Sequence, residues 1–253
     1  MANEAIANRR ATIESLLQPG VRHPTGFEEL GVDPEHHHLG IVLWFPTAGA
    51  SSLLETLARQ ITERTQASTV LTIPGGHHDL WMWLSFAAPP SPTVYESIRG
   101  IPRDAARIGL AAGPVAAKIS GFRRTHLLAQ DYASVARWLP SNAAPRVADS
   151  ESVSFVSLLL HDRERAEWFV STELGDLGTG TSASDVESRD TLRIYLETGQ
   201  SLAETAARLR IHRNTVVYRL RRIEQSLGLP VASRRHELYA ASLLAHLLTH
   251  RNY

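Results

Sequence analysis

The most informative stretch of this chain runs from Ile211 to Glu224 and reads IHRNTVVYRLRRIE. In and just beyond it, apolar residues recur at intervals of four, three and four positions, namely at Val216, Leu220, Ile223 and Leu227. This spacing puts them on one stripe of an α-helix, and Gly228 is a typical residue for a helix to end on. The pattern therefore predicts a helix over Arg213–Leu227 with one buried face and one outward face.

A shorter helix is predicted immediately before it. Ser201 and Glu204 fit a capping box, in which the serine side chain accepts a hydrogen bond from a first-turn amide and the glutamate reaches back to the cap amide. The helix Leu202–Leu209 would carry the small Ala206 on its inner face, which allows a second helix to cross closely. With the tight turn Arg210–His212 between them, the two helices match a helix-turn-helix.

The outward face of the longer helix carries mostly polar and basic side chains: Arg213, Asn214, Val217, Tyr218 and Arg221, flanked by Arg219 and Arg222. Between Thr205 and Ile223 there are six arginines and no aspartate or glutamate. Arginine can pair with guanine edges or phosphates, asparagine with adenine and tyrosine with phosphate, so this face suits the major groove of DNA. Two alternatives stay open: a solvated face rich in arginine, and a helix-turn-helix that contacts only proteins.

The start of the longer helix has more than one interpretation. His212 can be a helix cap, a phosphate contact or a pH-sensitive group. Thr215, by its position alone, is expected to satisfy backbone groups of the first turn.

Charge is distributed unevenly along the chain. The 253 residues contain 26 basic and 26 acidic side chains, so the formal net charge is zero. Residues 201–253 hold nine arginines and three glutamates, which gives +6 there and leaves −6 for residues 1–200. A neutral chain with one basic end indicates a polyanion partner, and double-stranded DNA is the predicted one. Because Lys118 is the one lysine, the position of the arginines is more informative than their number.

Composition excludes several classes of protein. The absence of cysteine excludes disulfides, thiolate zinc sites and cysteine nucleophiles. The longest apolar run, Leu39–Phe45, is far shorter than the about 20 residues of a membrane helix. The first ten residues contain no apolar segment typical of a secretory signal. We therefore expect a cytoplasmic protein without a membrane partner.

Residues 36–150 show strand and helix signals in the order β-α-β-β-α-β-α-β. Strands are predicted at Leu39–Phe45, Thr69–Ile73, Leu80–Phe86, Ala106–Ala112 and Arg146–Ala148, and helices at Ser51–Gln66, Thr93–Arg99 and Gly121–Trp138. We expect an α+β domain with a split βαβ sheet and its helices on one face. A helix over residues 3–17 and a loop over residues 18–38 precede the sheet.

The chain after residue 149 has no strand pattern and is predicted to be all helical. Helical patterns cover Val153–Leu160, Arg163–Leu174, Asp190–Glu197 and Arg235–His250, besides the two helices above. Gly175–Ser184 is rich in glycine, serine and threonine and is predicted as a linker. The predicted organisation is an N-terminal helix and linker over residues 1–35, the α+β domain over 36–150, a helical linker over 151–184 and the helix-turn-helix domain over 185–253.

The C-terminal third resembles the PucR/CdaR family of bacterial transcription regulators. The resemblance lies in IHRNTVVYRLRRIE, in LGDLGTGTSASDVESRDTLRIYLETGQS upstream and in HELYAASLLAHLL downstream, and it covers roughly residues 165–250. It implies a cytoplasmic DNA-binding regulator that works as a dimer or larger oligomer. It also implies DNA contacts by Arg213, Asn214, Thr215, Tyr218, Arg219 and Arg222, whereas Arg221 is assigned from the helical phase alone. We predict a homodimer, because one helix-turn-helix reads about half a site.

The same family often carries a GGDEF-like domain, and ARIGLAAGPVAAKISGFRRTHLLAQDYASVA (106–136) resembles its last strand-helix unit. Active diguanylate cyclases need carboxylates for magnesium and a Gly-Gly-acidic-acidic hairpin. Here the hairpin reads Gly75-Gly76-His77-His78-Asp79, and no acidic residue lies between Leu39 and Glu55. Magnesium prefers oxygen ligands, which imidazoles do not replace. We predict a catalytically inactive domain kept for signalling or dimer contacts, and no enzyme.

Other candidate sites are weaker. His36–His38 is not expected to hold a functional metal, because adjacent residues of one loop rarely converge on one ion, although the nearby Asp33 and Glu35 leave a weak adventitious site open. His77–Asp79 is expected to be a solvated turn. Trp44, Trp81 and Trp83 are predicted core residues, although Trp81 and Trp83 share a strand face and could line a ligand pocket. The sequence contains no phosphate-binding glycine loop and no nucleophile with its base and acid, so no catalytic residue, metal or cofactor is predicted.

Three functions are compatible with these patterns. The preferred one is a DNA-binding transcription regulator, with a small-molecule effector left unassigned. The second is a nucleotide or small-ligand sensor, or an enzyme, whose helical end serves protein contacts. The third is a structural adaptor that uses its helices only to bind proteins.

Overall fold

A computed structural model of the chain describes residues 2–20, 26–45, 51–76, 78–101, 108–137 and 147–249. These residues fall into two units, the first ending at Ser157 and the second beginning at Leu158. The first contains a five-stranded sheet with helices, and the described part of the second contains helices and no strand. The predicted fold class, an α+β domain followed by an all-α helix-turn-helix domain, is confirmed.

The sheet has four main strands: β1 (His37–Trp44), β2 (Thr69–Pro74), β3 (Asp79–Phe86) and β4 (Gly109–Ala112). Their order is β2-β3-β1-β4, and every neighbouring pair is antiparallel. Because β1 and β2 both run antiparallel to β3, they are parallel to each other with β3 between them, which is the predicted split βαβ arrangement.

Two details at the sheet edge differ from the sequence pattern. A two-residue strand, β5 (Ala116–Ala117), pairs with the start of β1 and had not been predicted. The predicted last strand is a single parallel bridge between Ala111 and Ala148, and Arg146 lies outside the described residues.

The helices of the first unit cover both faces of the sheet, so the prediction that they lie on one face is wrong. They are α1 (Ala2–Leu17), α2 (Phe27–Leu30), α3 (Ser51–Thr65), α4 (Val94–Arg99) and α5 (Lys118–Ala136). α3 and α4 share one core with Leu39 and Ile41 of β1, whereas α1, α2 and α5 enclose Trp83 of β3 on the other face. The physical reason is that β1 is buried at every residue after His37, and a strand buried on both faces needs a cover on each. α2 lies inside the predicted loop of residues 18–38.

The face covered by α5 contains a cluster of buried rings. Trp83 is fully buried, stacks on Phe122 and His126 with centroid distances of 4.8 Å and 4.2 Å, and donates from Nε1 to the carbonyl oxygen of Phe122. Burial lowers the pKa of His126 to about 3. Burial is also the largest cause that lowers the pKa of His38 to about 4, and it outweighs a hydrogen bond with the backbone of Pro34. Both imidazoles are therefore neutral at pH 7.

Gly40 on β1 determines how closely α5 approaches the sheet. A Cβ atom at Gly40 would lie 2.8 Å from the backbone nitrogen of His126, and the Gly40 amide donates to Oγ1 of Thr125 at 2.7 Å. We expect Gly40→Ala to lower the free energy of unfolding by about 1–3 kcal/mol, because the added carbon must push α5 away. Urea unfolding followed by tryptophan fluorescence measures the loss.

The control for this substitution is Gly76→Ala. A Cβ atom at Gly76 meets nothing within 4 Å, so this variant should unfold at the urea concentration of the parent chain. Equal midpoints for the two variants would contradict the close approach of α5 at Gly40.

The remaining helices are α6 (Ser150–Leu159), α7 (Arg163–Leu174), α8 (Asp176–Thr179), α9 (Ala183–Glu197), α10 (Leu202–Leu209), α11 (Arg213–Leu227) and α12 (Arg235–Thr249), with a 3₁₀ turn at Val231–Arg234. The bounds of α10 and α11 are those predicted. The core of the second unit joins residues of α7, α8, α9, α10, α11 and α12. No helix among the described residues combines the length and apolar character that a membrane span requires.

The predicted linker Gly175–Ser184 is a folded part of the second unit. It contains α8, and Leu177 on that helix is buried in the same core as Val170 of α7. The guanidinium group of Arg189, itself buried, donates to the carbonyl oxygens of Leu177 and Gly180 at 2.9 Å and 2.5 Å. The residue composition predicted a linker, but an arginine from the next helix binds two of its backbone carbonyls. The division into four segments otherwise stays a prediction.

Candidate nucleic-acid interface

α11, the helix whose outward face is predicted to contact DNA, begins with a histidine cap. His212 has extended backbone angles (φ −73°, ψ 144°), and its ring Nδ1 accepts a hydrogen bond from the amide of Asn214 at 3.2 Å. Of the interpretations of His212, the structure supports the helix cap.

The apolar stripe of α11 packs inside the unit as predicted. Val216 is fully buried, Leu220 and Ile223 are buried, and Leu227 packs against the same core. α11 contacts α9 and α10, and the small Ala206 of α10 is buried where the helices meet. These contacts fix the rotation of α11 about its axis, so the opposite side of the helix faces solvent.

Five of the seven residues predicted to contact DNA are exposed: Arg213, Asn214, Tyr218, Arg221 and Arg222. Tyr218 is 61% exposed, which is high for a large aromatic residue. In the described structure, no hydrogen-bond or ion-pair partner lies at the guanidinium groups of Arg213 and Arg221. The side chains are therefore available to an external partner. Asn214, Tyr218 and Arg221 lie on the side of α11 opposite the buried stripe, and Arg213 and Arg222 border that side, one on each edge.

Thr215 and Arg219 lie differently. Thr215 is half-buried in the first turn, where its amide bonds to the carbonyl oxygen of His212 at 2.9 Å. The side chain of Arg219 is only 20% exposed, contacts the carboxylate of Glu187 and donates to Oγ1 of Thr191 at 3.3 Å. Arg219 therefore turns towards α9 and holds α11 against it, which the sequence did not suggest.

Carboxylates on α9 neutralise part of the positive charge that the sequence shows on α10 and α11. Arg208 pairs with Glu197 at 3.4 Å, as Arg219 pairs with another glutamate of α9. Arg222 lies near Asp185, whose pKa is lowered mainly by a hydrogen bond from Ser182 and further by neighbouring arginine charges. Of the six arginines counted between Thr205 and Ile223, the four that remain exposed without such a close pair are Arg210, Arg213, Arg221 and Arg222.

Ser201 caps α10 as predicted, but its capping box is incomplete. Oγ of Ser201 accepts a hydrogen bond from the amide of Glu204 at 3.3 Å. The Glu204 carboxylate contacts Arg208 at 3.7 Å instead of the cap amide. Arg208 lies one helical turn further along α10, where opposite charges four residues apart attract each other. A complete box occurs at the start of α9, between Ser182 and Asp185.

Arg219 provides a test that separates packing from DNA contact. We expect Arg219→Ala to lower the free energy of unfolding by about 1 kcal/mol, because Glu187 and Thr191 each lose a hydrogen-bond partner. Arg221→Ala, at an exposed arginine on the same helix, should change it by less than about 0.5 kcal/mol. Urea unfolding of both variants measures this. Unchanged stability in Arg219→Ala, together with weaker DNA binding, would instead favour the DNA contact predicted from the sequence.

The other candidate sites of the sequence analysis fall in the first unit. His38 is fully buried and its Nδ1 lies 2.9 Å from Oγ of Ser85. In the hairpin, Asp79 pairs with Arg137 at 2.8 Å, and His77 lies outside the described residues. Among the described residues, no group of three or more histidines and carboxylates is arranged to hold a metal ion.

The three tryptophans of the sheet lie mainly in the core. Trp44 and Trp83 are buried, as predicted. Trp81 is half-buried, shares its face with Trp83 and contacts the ring of His126 with a centroid distance of 4.7 Å. A ligand pocket beside Trp81 and Trp83 stays a prediction.

Two family models match this chain. The model of a GGDEF-like domain matches residues 25–135, and the model of the PucR C-terminal helix-turn-helix domain matches residues 189–244. The first range contains all five strands of the sheet, and the second contains α10 and α11. The two resemblances stated from the sequence are thereby confirmed.

Regulators from two bacteria share short segments with it. The transcriptional activator PmfR of Paenarthrobacter nicotinovorans is 42% identical over 78 residues, which is 31% of this chain. The purine catabolism regulatory protein of Bacillus subtilis (strain 168) is 58% identical over 38 residues, which is 15% of it. The matched segments span only 16% and 7% of those relatives. A crystal structure of a regulator of polyketide synthase expression from Bifidobacterium adolescentis matches with a TM-score of 0.47 at 19% identity, covering 97% of this chain and 93% of that one.

Proposed function

We propose that this chain, which joins a GGDEF-like domain to a PucR C-terminal helix-turn-helix domain, is a sequence-specific DNA-binding transcriptional regulator. The observation that carries the proposal is the exposed surface of α11, where basic and polar groups are presented to solvent and Arg213 and Arg221 have no partner among the described residues. Relatives named a transcriptional activator and a purine catabolism regulatory protein support the same function.

Each exposed side chain has a role that its chemistry suits. Arg213 and Asn214, at the first two positions of α11, would read base edges, with guanidinium on guanine and amide on adenine. Tyr218, Arg221 and Arg222 would bind phosphates and hold the helix in register. The two remaining predicted residues act differently in this proposal: Thr215 supports the first turn, and Arg219 positions the helix.

The GGDEF-like domain has no catalytic role in this proposal. β1 and the residues after it contain no acid before Glu55, so the sequence lacks carboxylate ligands for magnesium there. The hairpin acid, Asp79, is already paired with Arg137. We propose that the domain contributes to signalling or to dimer contacts in the cytoplasm.

A homodimer belongs to the proposal because one helix-turn-helix reads about half a site. Two copies would meet half-sites spaced by about one helical turn of DNA, roughly 34 Å. A solution mass at micromolar concentration tests this, and a strict monomer that stays monomeric on DNA would count against it.

The regulator function is tested by selecting bound sequences from a random duplex pool with the intact chain. We expect enrichment of one motif, with a binding constant for it that falls steeply as salt rises, because arginines displace condensed counterions. A second candidate, a nucleotide sensor, predicts saturable nucleotide binding with or without magnesium and no motif. Recovery of no DNA above background would refute the proposal.

A further inference from the structure

We propose that Arg210, in the turn between α10 and α11, is a further DNA-binding residue and contacts a phosphate of the duplex backbone. It is not among the residues that sequence reasoning assigned to DNA. The inference rests on the proposed function, since it names one more contact of the same surface.

The backbone conformation of Arg210 is the first observation. Arg210 has φ 56° and ψ 42°, in the left-handed region, which glycine adopts without steric cost and other residues rarely adopt. Two other described helices end in the same conformation with glycine: Gly31 after α2 has φ 67°, and Gly228 after α11 has φ 69°. The turn after α10 thus carries an arginine where glycine suits the backbone better. Gln66, after α3, adopts the same conformation with φ 53°, so the surroundings of the Arg210 side chain decide its role.

No contact inside the molecule accounts for that side chain. The amide of Arg210 bonds to the carbonyl oxygen of Ala207 at 3.2 Å, a bond that glycine would make equally well. The residue is exposed, and in the described part of the chain no acceptor or ring lies at its guanidinium group. Arg208 and Arg219, on the two flanking helices, differ because each pairs with a glutamate of α9.

The position of Arg210 fits a phosphate. It lies three residues before Arg213, so it stands beside the first turn of α11, the turn that meets base edges in a helix-turn-helix. Phosphates border the groove on both sides of such a helix, and guanidinium binds phosphate oxygens by charge-assisted hydrogen bonds. A contact of this kind adds affinity on any sequence and does not discriminate between bases.

The test compares Arg210→Gly and Arg210→Asn with the parent chain, full length, on the selected duplex and on an unrelated one. Asparagine tolerates the left-handed region without a charge, so it separates charge from backbone conformation. We expect both variants to bind the two duplexes about fivefold to tenfold more weakly, by the same factor. The slope of log affinity against log salt should fall in magnitude by about 0.9, the value for one phosphate contact. The thermal midpoint of Arg210→Gly should equal or exceed that of the parent.

Gln66→Gly is the matched control, because Gln66 follows α3 with φ 53° in the other unit. Gln66→Gly should relieve the same kind of backbone strain, and it should leave the affinity for DNA and the salt dependence of that affinity unchanged. Parent-like affinity and slope in both Arg210 variants would overturn the inference while leaving the proposed function intact. A lower thermal midpoint in both would also overturn it, because Arg210 would then hold the turn. A parent chain that binds neither duplex would refute the proposed function and, with it, the inference.

Discussion

Replacing Arg213 and Tyr218 together by alanine is expected to lower affinity for the selected DNA site by about 100-fold. A lost arginine–guanine contact contributes about 1–3 kcal/mol and a lost phosphate contact about 1 kcal/mol, and about 2.7 kcal/mol corresponds to that factor. Both side chains are exposed, and Arg213 has no internal partner among the described residues. The fold should therefore be unaffected, with unfolding midpoints equal to those of the parent. Fluorescence anisotropy with a labelled duplex measures the change.

The matched control is Arg165→Ala combined with Trp168→Ala on α7. This pair also removes an exposed arginine and an exposed aromatic residue, since the Arg165 side chain is 79% exposed and Trp168 is 58% exposed. It should retain affinity within about twofold, because α7 contributes no residue to the proposed surface. An equal loss of affinity in the two double variants would contradict the prediction. It would show that DNA binding depends on the total number of arginine and aromatic side chains and not on their position on α11.

Acidification is expected to destabilise the first unit through His126 and His38. Their pKa values in the folded chain are about 3 and about 4, below the ordinary value of about 6.5 that the unfolded chain has. Between these values the unfolded state binds protons that the folded state excludes, so stability is complete above pH 6.5 and falls as pH decreases. The slope is about 1.4 kcal/mol per pH unit for each histidine. At pH 5 the two together remove about 4 kcal/mol.

Urea unfolding at pH 7.5 and pH 5.0 tests this prediction, with the fluorescence of the five tryptophans as the probe. One of them, Trp83, stacks on His126. His126→Phe keeps a ring against Trp83 and cannot titrate. The loss of stability between the two pH values should be about 2 kcal/mol smaller in this variant than in the parent chain. The same loss in both chains would mean that the carboxylates, and not the buried imidazole, cause the acid sensitivity.

The helix-turn-helix could be predicted to the residue because its signals are local. Ser201 caps α10, Gly228 ends α11, and the apolar spacing from Val216 to Leu227 determines which face is buried. Each of these signals acts within one or two helical turns, so the sequence alone contains them. The exposed positions of Arg213, Asn214 and Tyr218 follow from the same spacing.

Other features depend on residues that are distant along the chain. Glu187, which turns Arg219 inward, lies 32 positions before it, and no local pattern links the two. Arg189, which folds the glycine-rich segment around α8, is likewise on the following helix. The packing of α5 on the second face of the sheet depends on Gly40, because the missing side chain of this residue lets α5 approach closely. Only the packed structure shows that approach. Long-range pairing, rather than weak local signals, explains these errors.

The most direct test of the outward face of α11 uses the absence of cysteine from the chain. Asn214→Cys and, on α7, Thr172→Cys each introduce one thiol at an exposed position, to which a photoactivatable cross-linker can be attached. With the selected duplex bound, irradiation should join DNA to the chain labelled at position 214 and give only background at position 172. Background yield at position 214, or equal yields at both positions, would contradict the claim that α11 meets DNA through this face.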